Sequence, residues 1–334
     1  MTDFGLLSEG YRVCSLFVGG GTPTLVDAER VGALIGACRS IAPFEDDAEI
    51  TVEGNPGTLT PKKLAVYRRA GVNRLSLGAQ SFDGGLLKSL GRIHTAAQTA
   101  EAVAMAREAG FDNINLDLMY ALSGQRMAQW IGTLDAAIAL GVEHISAYSL
   151  IVEPGTPMAA RVASGEAVVP GDDAVNDMQR EAIRRLSGAG YGRYEISNYA
   201  KPGRECRHNL VYWNRGDYLG LGCAAHSFVG GCRFHNPQSL DAYLSGERME
   251  DMTRLTRRDA MEETLMLSTR TVRGLDLAKW ARDFGAPFGE GRQAALSRLE
   301  AGGLIGIDGG FLRLTTRGME LQNAVVLELS GEDE

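Results

Sequence analysis

The chain is poor in the spacings that mark metal or disulfide sites. Its five cysteines, Cys14, Cys38, Cys206, Cys223 and Cys232, include no CxxC or CxxxC pair. That excludes a zinc ribbon or an iron–sulfur motif within the chain, and the odd, scattered set excludes a disulfide framework. No apolar run approaches the roughly 18 residues needed to cross a bilayer. The opening stretch, MTDFGLLSEGYRVCSLFVGGG, has no basic n-region and no cleavage site, so no signal peptide is read and a cytoplasmic protein is expected. Positive charge is also short. Lys and Arg number 34 against 42 Asp and Glu, a net charge of −8. This argues against a broad basic footprint for nucleic acid or an acidic membrane, so no nucleic-acid partner is expected. There is no internal repeat and no low-complexity tract apart from the acidic tail, residues 331–334, which is expected to fray.

What the chain has in surplus is glycine, 42 of 334 residues. The length gives a prior of about two domains. β-branched, strand-like runs at 13–18, 49–53, 74–78, 113–118, 144–150 and 194–196 alternate with amphipathic stretches. The stretches at 28–41, 61–70, 96–109, 127–140 and 173–189 carry apolar residues at three- and four-residue spacing. Several begin at a cap or an N1 proline, such as Thr60-Pro61, and stop at glycine, as at Gly71, Gly110, Gly141 and Gly190. The alternation predicts βα units around a parallel sheet. Composition changes after Asn198. Residues 199–254, rich in glycine, aromatics, histidine and asparagine, read as a loop-dominated region packed on the barrel mouth. From 255 to 330 the pattern predicts three helices (259–270, 275–284, 293–301), a hairpin turning at Asp308-Gly309-Gly310, and a last amphipathic segment at 316–329. This is a winged-helix-like arrangement. Such modules often bind DNA, but this one carries many acids, and a packing or interaction domain is the preferred reading.

In a parallel barrel, binding groups gather where strands end. The first strand is followed by Gly19-Gly20-Gly21-Thr22-Pro23, which is neither GxGxxG nor a P-loop. Taken alone, the triplet is a tight turn. Later strands are followed by Glu53, Asn55 and Pro56; by Gln80 and Ser81, with Arg92 and His94 beyond; by Asp117 and Tyr120; by Ile151 and Glu153; and by Glu195, Ser197, Asn198 and Tyr199. One acid at a strand end could be a cap or a surface group. Three polar side chains at successive ends suit a ligand with hydroxyls and an amine, such as a nucleoside bearing an amino acid. Arg92 could fork that ligand's carboxylate or form a surface ion pair.

A second constellation is His208-Asn209-Leu210-Val211-Tyr212-Trp213. Histidine beside amide and aromatic groups suits a planar ligand needing an axial nitrogen, and haem fits. The competing reading makes His208 a helix cap, with Tyr212 and Trp213 in the core. His226 and His235 read as loop or surface histidines. Cys206, two residues before His208, reads as a free thiol because no third ligand lies nearby.

The strings FVGGGTPTL, EITVEGNPGTL, NRLSLGAQSFD, LGRIH, NINLDLMY, HISAYSL, YEISNYA, HNLVYW and YLGLG–AHSF occur in this order. Together they resemble the radical S-adenosylmethionine (SAM) proteins around oxygen-independent coproporphyrinogen III oxidase, and most of all its haem-chaperone relatives of the HemW type. The resemblance runs from about Leu16 to the C-terminal module. It implies a partial (β/α) TIM-like barrel, an α/β fold, with SAM at the strand C-termini. Gly20, Gly21, Thr22, Glu53, Gln80, Arg92, Asp117 and Ile151 would then line the cofactor pocket. His208, with Asn209, Tyr212 and Trp213, would handle haem, with His208 as the candidate iron ligand.

One departure is large. The family holds a 4Fe-4S cluster through CxxxCxxC, upstream of the glycine triplet. Here only Cys14 precedes Gly19, within the strand that leads to it. The first strand and its cluster loop look absent, and this chain as given is expected to ligate no cluster. Either the sequence starts at an internal methionine of a longer protein, or it is a paralogue that lost the cluster. The first is preferred, because the strings that would serve SAM are retained. In-frame coding upstream of Met1 decides between them. The resemblance implies a haem chaperone that delivers haem to respiratory or membrane proteins. Coproporphyrinogen oxidation by radical decarboxylation of propionates is the alternative, and a degenerate ligand-binding paralogue a third. No catalytic residue is assigned, competence as a coproporphyrinogen oxidase is not expected of this chain, and a homodimer is left open.

Overall fold

The computed structural model describes residues 10–331. Residues 1–9 of the stretch read for a leader peptide and most of the acidic tail lie outside them. Two compact units divide the chain, one formed by Met1–Arg193 and Ser197–His208, the other by Tyr194–Ile196 and Asn209–Glu334.

In the first unit, strand, helix and turn follow one another as β1 (Val13–Val18), α1 (Ala28–Ile41), β2 (Phe44–Gly54), α2 (Pro61–Arg69), β3 (Arg74–Gln80), α3 (Gly84–Ser89), α4 (Ala96–Glu108), β4 (Ile114–Tyr120), α5 (Met127–Ala139), β5 (His144–Ser149), α6 (Pro157–Ala163), α7 (Asp172–Gly188), β6 (Gly192–Arg193) and β7 (Asn198–Ala200). The helices start where the side chains dictate. Asp27 accepts from the Glu29 amide, Thr60 from Lys63 with Pro61 at the first helical position, and Thr95 closes a reciprocal box with Gln98. The sheet runs β1-β2-β3-β4-β5-β7-β6. β1 to β5 are parallel, as the βα alternation predicts, while β5–β7 and β7–β6 are antiparallel. Among the described residues β1 forms one edge.

The strands alternate two chemistries. Ile50, Val52, Leu75, Leu77, Ile114, Leu116, Leu118 and Ile145 are fully buried. They belong to the same core as Ile35, Leu64, Val103 and Trp130 of the helices, and each such burial contributes roughly 1.5–3 kcal/mol. The intervening residues face the other way. They are Ser15 and Phe17 of β1; Glu49, Thr51 and Glu53 of β2; Arg74 and Ser76 of β3; Asn115 and Asp117 of β4; and His144, Ser146 and Tyr148 of β5. The register puts them side by side across the sheet: Ser15 beside Glu49, Thr51 beside Arg74, Glu53 beside Ser76, Ser76 beside Asn115, and Asp117 beside Ser146.

Two expectations are corrected. Residues 194–196 are not a strand of this sheet. The chain bends at Ile196-Ser197 and re-enters as β7, whose Ala200 pairs with His144 at the start of β5 and Asn198 with Ser146. β7 therefore runs opposite to its neighbour, and Asn198 and Tyr199 are not delivered to the strand C-termini.

Residues 199–254 are about half loop and half regular structure. They hold α8 (Arg207–Trp213), β8 (His226–Val229), β9 (Cys232–His235), α9 (Leu240–Ser245) and β10 (Glu250–Arg254), and the three strands form an antiparallel sheet ordered β10-β9-β8. The four-residue strands are too short to show a period, and left-handed residues at Met249 and Asp251 interrupt the pattern further.

The C-terminal part of the second unit follows the winged-helix-like expectation: α10 (Arg257–Thr269), β11 (Leu275–Asp276), α11 (Leu277–Phe284), α12 (Gln293–Ala301), β12 (Ile305–Asp308), β13 (Phe311–Leu314), α13 (Thr316–Glu320) and α14 (Gln322–Ser330). β11 takes Leu275 out of the expected helix and adds a third strand beside β13. The last segment breaks into two helices at Leu321. Trp280 organises this core, with Phe284 at 4.6 Å and Phe288 edge-on at 4.9 Å between ring centroids. Among the described residues, no helix is long and apolar enough to cross a membrane.

Candidate functional site

The C-terminal ends of β1 to β5 build one polar centre. β1 leads into the glycine triplet, where Gly20 (φ +80) and Gly21 (φ +67) turn left-handed. Gly19 is fixed by proximity, since a Cβ there would lie 2.9 Å from Glu53 Oε2. Burial pushes the Glu53 carboxyl upward, the charge of Asp117 adds to this, and a hydrogen bond from the Gly20 amide and the Arg74 charge oppose it. Thr22 leads into a single turn, Pro23–Leu25. Asn55 has a structural task, accepting from the Gly57 amide at 3.0 Å.

Asp117 receives Asn115 Nδ2 at 2.8 Å on one oxygen and Ser76 Oγ at 3.2 Å on the other. Burial raises its pKa, while these donors, Ser146 and Arg74 pull it down. Gln80 sits at a bulge between β3 and β4 with φ +62. Its side chain folds back over Gly78, where a Cβ would come within 2.8 Å of Gln80 Nε2. Tyr148 on β5 hydrogen-bonds to Gln80, and burial pushes its phenol well up, with Asp117 and Glu53 adding to the rise. Gln80 Oε1 is buried with no hydrogen-bond partner.

The structure therefore brings Glu53, Gln80 and Asp117 together and adds Tyr148, which strand-end reasoning missed. The signal was present in HISAYS, where Tyr148 keeps phase with His144 and Ser146. Arg92 is exposed in the loop after α3, and Ile151 is 71% exposed after β5. His94 is buried, with Nε2 3.2 Å from the Ala79 carbonyl oxygen and a pKa lowered chiefly by burial. Ser81 bonds Thr133 at 3.2 Å, and the Tyr120 ring lies tilted against Trp130 at 5.2 Å between centroids, so both are accounted for by packing.

Deeper on the same face lies Arg74, 2% exposed, with its Nε 4.0 Å from Glu49 Oε2. Glu49 receives the amides of Arg207 (3.2 Å) and His208 (3.1 Å) and the Cys206 thiol (3.4 Å). It thus caps α8 from β2, so His208 is not the cap. The His208 ring stacks on Phe17 at 4.9 Å, and its Nδ1 lies 3.0 Å from Ser15 Oγ. Burial lowers its pKa to about 4, with Glu49 opposing and Arg74 adding to the drop. The ring is neutral at ordinary pH.

Asn209, Tyr212 and Trp213 continue α8 in the second unit. Tyr212 meets Tyr218 edge-on at 4.7 Å, and Trp213 lies under Arg270 with Cζ 4.5 Å from the ring centroid. Arg270 is paired with buried Glu195 at 2.7 Å, so Glu195 is an ion-pair partner and not a strand-end ligand. All five cysteines are free thiols. Among the described residues, no three His, Cys, Asp or Glu side chains are placed to hold a metal ion.

The chemistry of the centre fits SAM. A glycine turn with exposed backbone, two carboxyls and an orphaned amide oxygen match a ligand with an amino acid end and ribose hydroxyls. Cluster ligation is not matched by the described residues.

Residues 6–137 match the Radical SAM superfamily, and residues 255–321 match the HemN C-terminal domain. The haem chaperone HemW of Mycobacterium tuberculosis is 38% identical over 324 residues, covering 96% of this chain and 81% of that protein. HemW of Bacillus subtilis is 35% identical, covering 95% and 86%. The solved structure of the Escherichia coli coproporphyrinogen III oxidase HemN, a radical SAM enzyme, superposes with a TM-score of 0.82 at 24% identity over 96% of this chain and 78% of that one.

Proposed function

The chain belongs to the HemW haem-chaperone family of radical SAM proteins, and from that premise we propose that it binds haem through His208 and passes it to haem-dependent respiratory or membrane proteins in the cytoplasm. The observation that carries the proposal is the state of His208. Iron takes a neutral imidazole, and burial keeps this ring neutral to about pH 4. The 3.0 Å contact between Nδ1 and Ser15 Oγ fixes the ring plane, as outer partners do for metal-binding histidines. Asn209, Tyr212 and Trp213 accompany His208 on the same helix.

SAM would be held by Gly20, Gly21, Thr22, Glu53, Gln80 and Asp117, with Arg92 and Ile151 at the rim. When bound, SAM supplies a source of radical chemistry once an electron donor is present. This chain's residues hold and orient it. The glycine turn offers backbone groups, Glu53 and Asp117 accept from hydroxyls or the amine, and Gln80 accepts through its orphaned oxygen. The similarity to the oxidase structure is one of fold and does not carry decarboxylation.

The test is haem titration followed by absorbance, in wild type and His208→Ala. A clear loss of affinity in the variant is expected. Equal binding overturns the assignment of His208.

A further inference from the structure

The second unit contains a cavity of about 180 Å³ whose wall includes Tyr212, Arg215, Phe228, Arg233, Glu263 and Met266. Its charge does not balance. Arg215 Nε donates to Glu263 Oε2 at 3.0 Å and Arg233 Nη2 to Glu263 Oε1 at 2.9 Å, so two cations share one carboxylate. The wall keeps one net positive charge. Both guanidiniums lie against the same ring, with Cζ 4.8 Å (Arg215) and 5.4 Å (Arg233) from the Phe228 centroid. Phe228 is buried, and the Glu263 side chain is only 20% exposed, so the group works in a partly desolvated setting. Arg233 Nε is buried and donates to nothing. Leaving such a donor unmet is costly, and a carboxylate satisfies donor and charge together.

The cavity is too small for a macrocycle, which needs a site of several hundred Å³, but it suits a side arm. We propose that this cavity receives a carboxylate arm of a porphyrin, held between Arg215 and Arg233 beside Tyr212. The proposal rests on the haem reading and adds to it a subsite for the propionates. Glu263 holds the guanidiniums apart in the empty state, and an arriving carboxylate takes their remaining N–H groups. Met266 and Phe228 supply the apolar wall along which the methylenes run.

The experiment compares haemin with haemin dimethyl ester, whose propionates are masked, in absorbance titrations of the full chain. Wild type should bind haemin about tenfold more tightly than the ester, the yield of a charge-assisted pair. In Arg215→Gln and Arg233→Gln this preference should shrink to below about threefold while ester affinity stays unchanged, which shows that the fold is intact. Glu263→Gln releases both cations and should widen the preference. Equal wild-type binding of haemin and ester, or a preference untouched in both arginine variants, overturns the subsite while leaving the haem reading standing. Failure of wild type to bind either compound removes the haem reading and the subsite with it.

Discussion

Lowering the pH discriminates sharply between His208 as iron ligand and any ordinary histidine in that role. An imidazole at the usual 6.5 is about 90% neutral at pH 7.5 and about 10% neutral at pH 5.5, so iron binding through it weakens nearly tenfold over that interval. His208 titrates at about 4. It stays more than about 95% neutral at pH 5.5, and its contribution should change by less than about 1.2-fold. The assay is haem titration at pH 7.5, 6.5 and 5.5, expressed as the affinity ratio of wild type to His208→Ala, so that propionate titration and other histidines divide out. A ratio constant within experimental scatter is expected. A tenfold fall in the ratio, centred near pH 6.5, refutes the reasoning, because it would mean the ligating ring is solvated. Stability gives a second readout. The unfolded chain takes up a proton on this ring near pH 6.5, whereas the folded chain resists it until about pH 4. The folded state therefore binds fewer protons in that window. Its stability is full above pH 6.5 and declines as pH falls toward 4, by at most about 3 kcal/mol from this residue. His208→Ala should remove that share of the decline in urea denaturation.

Other substitutions test the rest of the architecture. Glu49→Gln takes away the carboxylate paired with buried Arg74 and weakens the acceptor for two α8 amides; a loss of about 3 kcal/mol in urea denaturation is expected, and a loss below about 1 would contradict the pairing. Gly19→Ala puts a methyl 2.9 Å from Glu53 Oε2, and calorimetric SAM affinity should fall about tenfold as that carboxyl is displaced; unchanged affinity would detach Glu53 from the cofactor. Leu312→Ala, at a fully buried position of β13, should cost about 2–5 kcal/mol in thermal or chemical unfolding of the second unit.

Local chemistry explains which parts of the structure were readable. β1 ends and α1 begins where the sequence reading placed them, because the glycine triplet stops the strand and Asp27 caps the helix. Glu53, Gln80 and Asp117 were legible as a set because each follows an apolar run. The polar face below them was not recognised, although EITVE, RLS and NLD display it, because parallel strands are ordinarily apolar on both faces. β6 and β7, with two and three residues, are too short to carry any period. The role of Glu49 as the cap of α8 depends on a contact 158 residues away, which no local pattern encodes. Exposure of Arg92 and Ile151 is likewise set by how their loops leave the sheet.

The alternation along β2 to β5 makes the strands intolerant of changes in residue count. Deleting a single residue at the start of β3, so that the whole strand slips by one, would turn Arg74 and Ser76 toward the helices and send Leu75 and Leu77 into the polar centre, exchanging the two surfaces at one stroke. The same deletion in the loop between α6 and α7 shifts no phase. Frame within a strand is thus inherited as a unit, whereas individual polar positions can drift one at a time without disturbing the layer beneath. A lineage on this scaffold can re-tune what it holds by point substitution on one surface, and insertions or deletions should be confined to the joints.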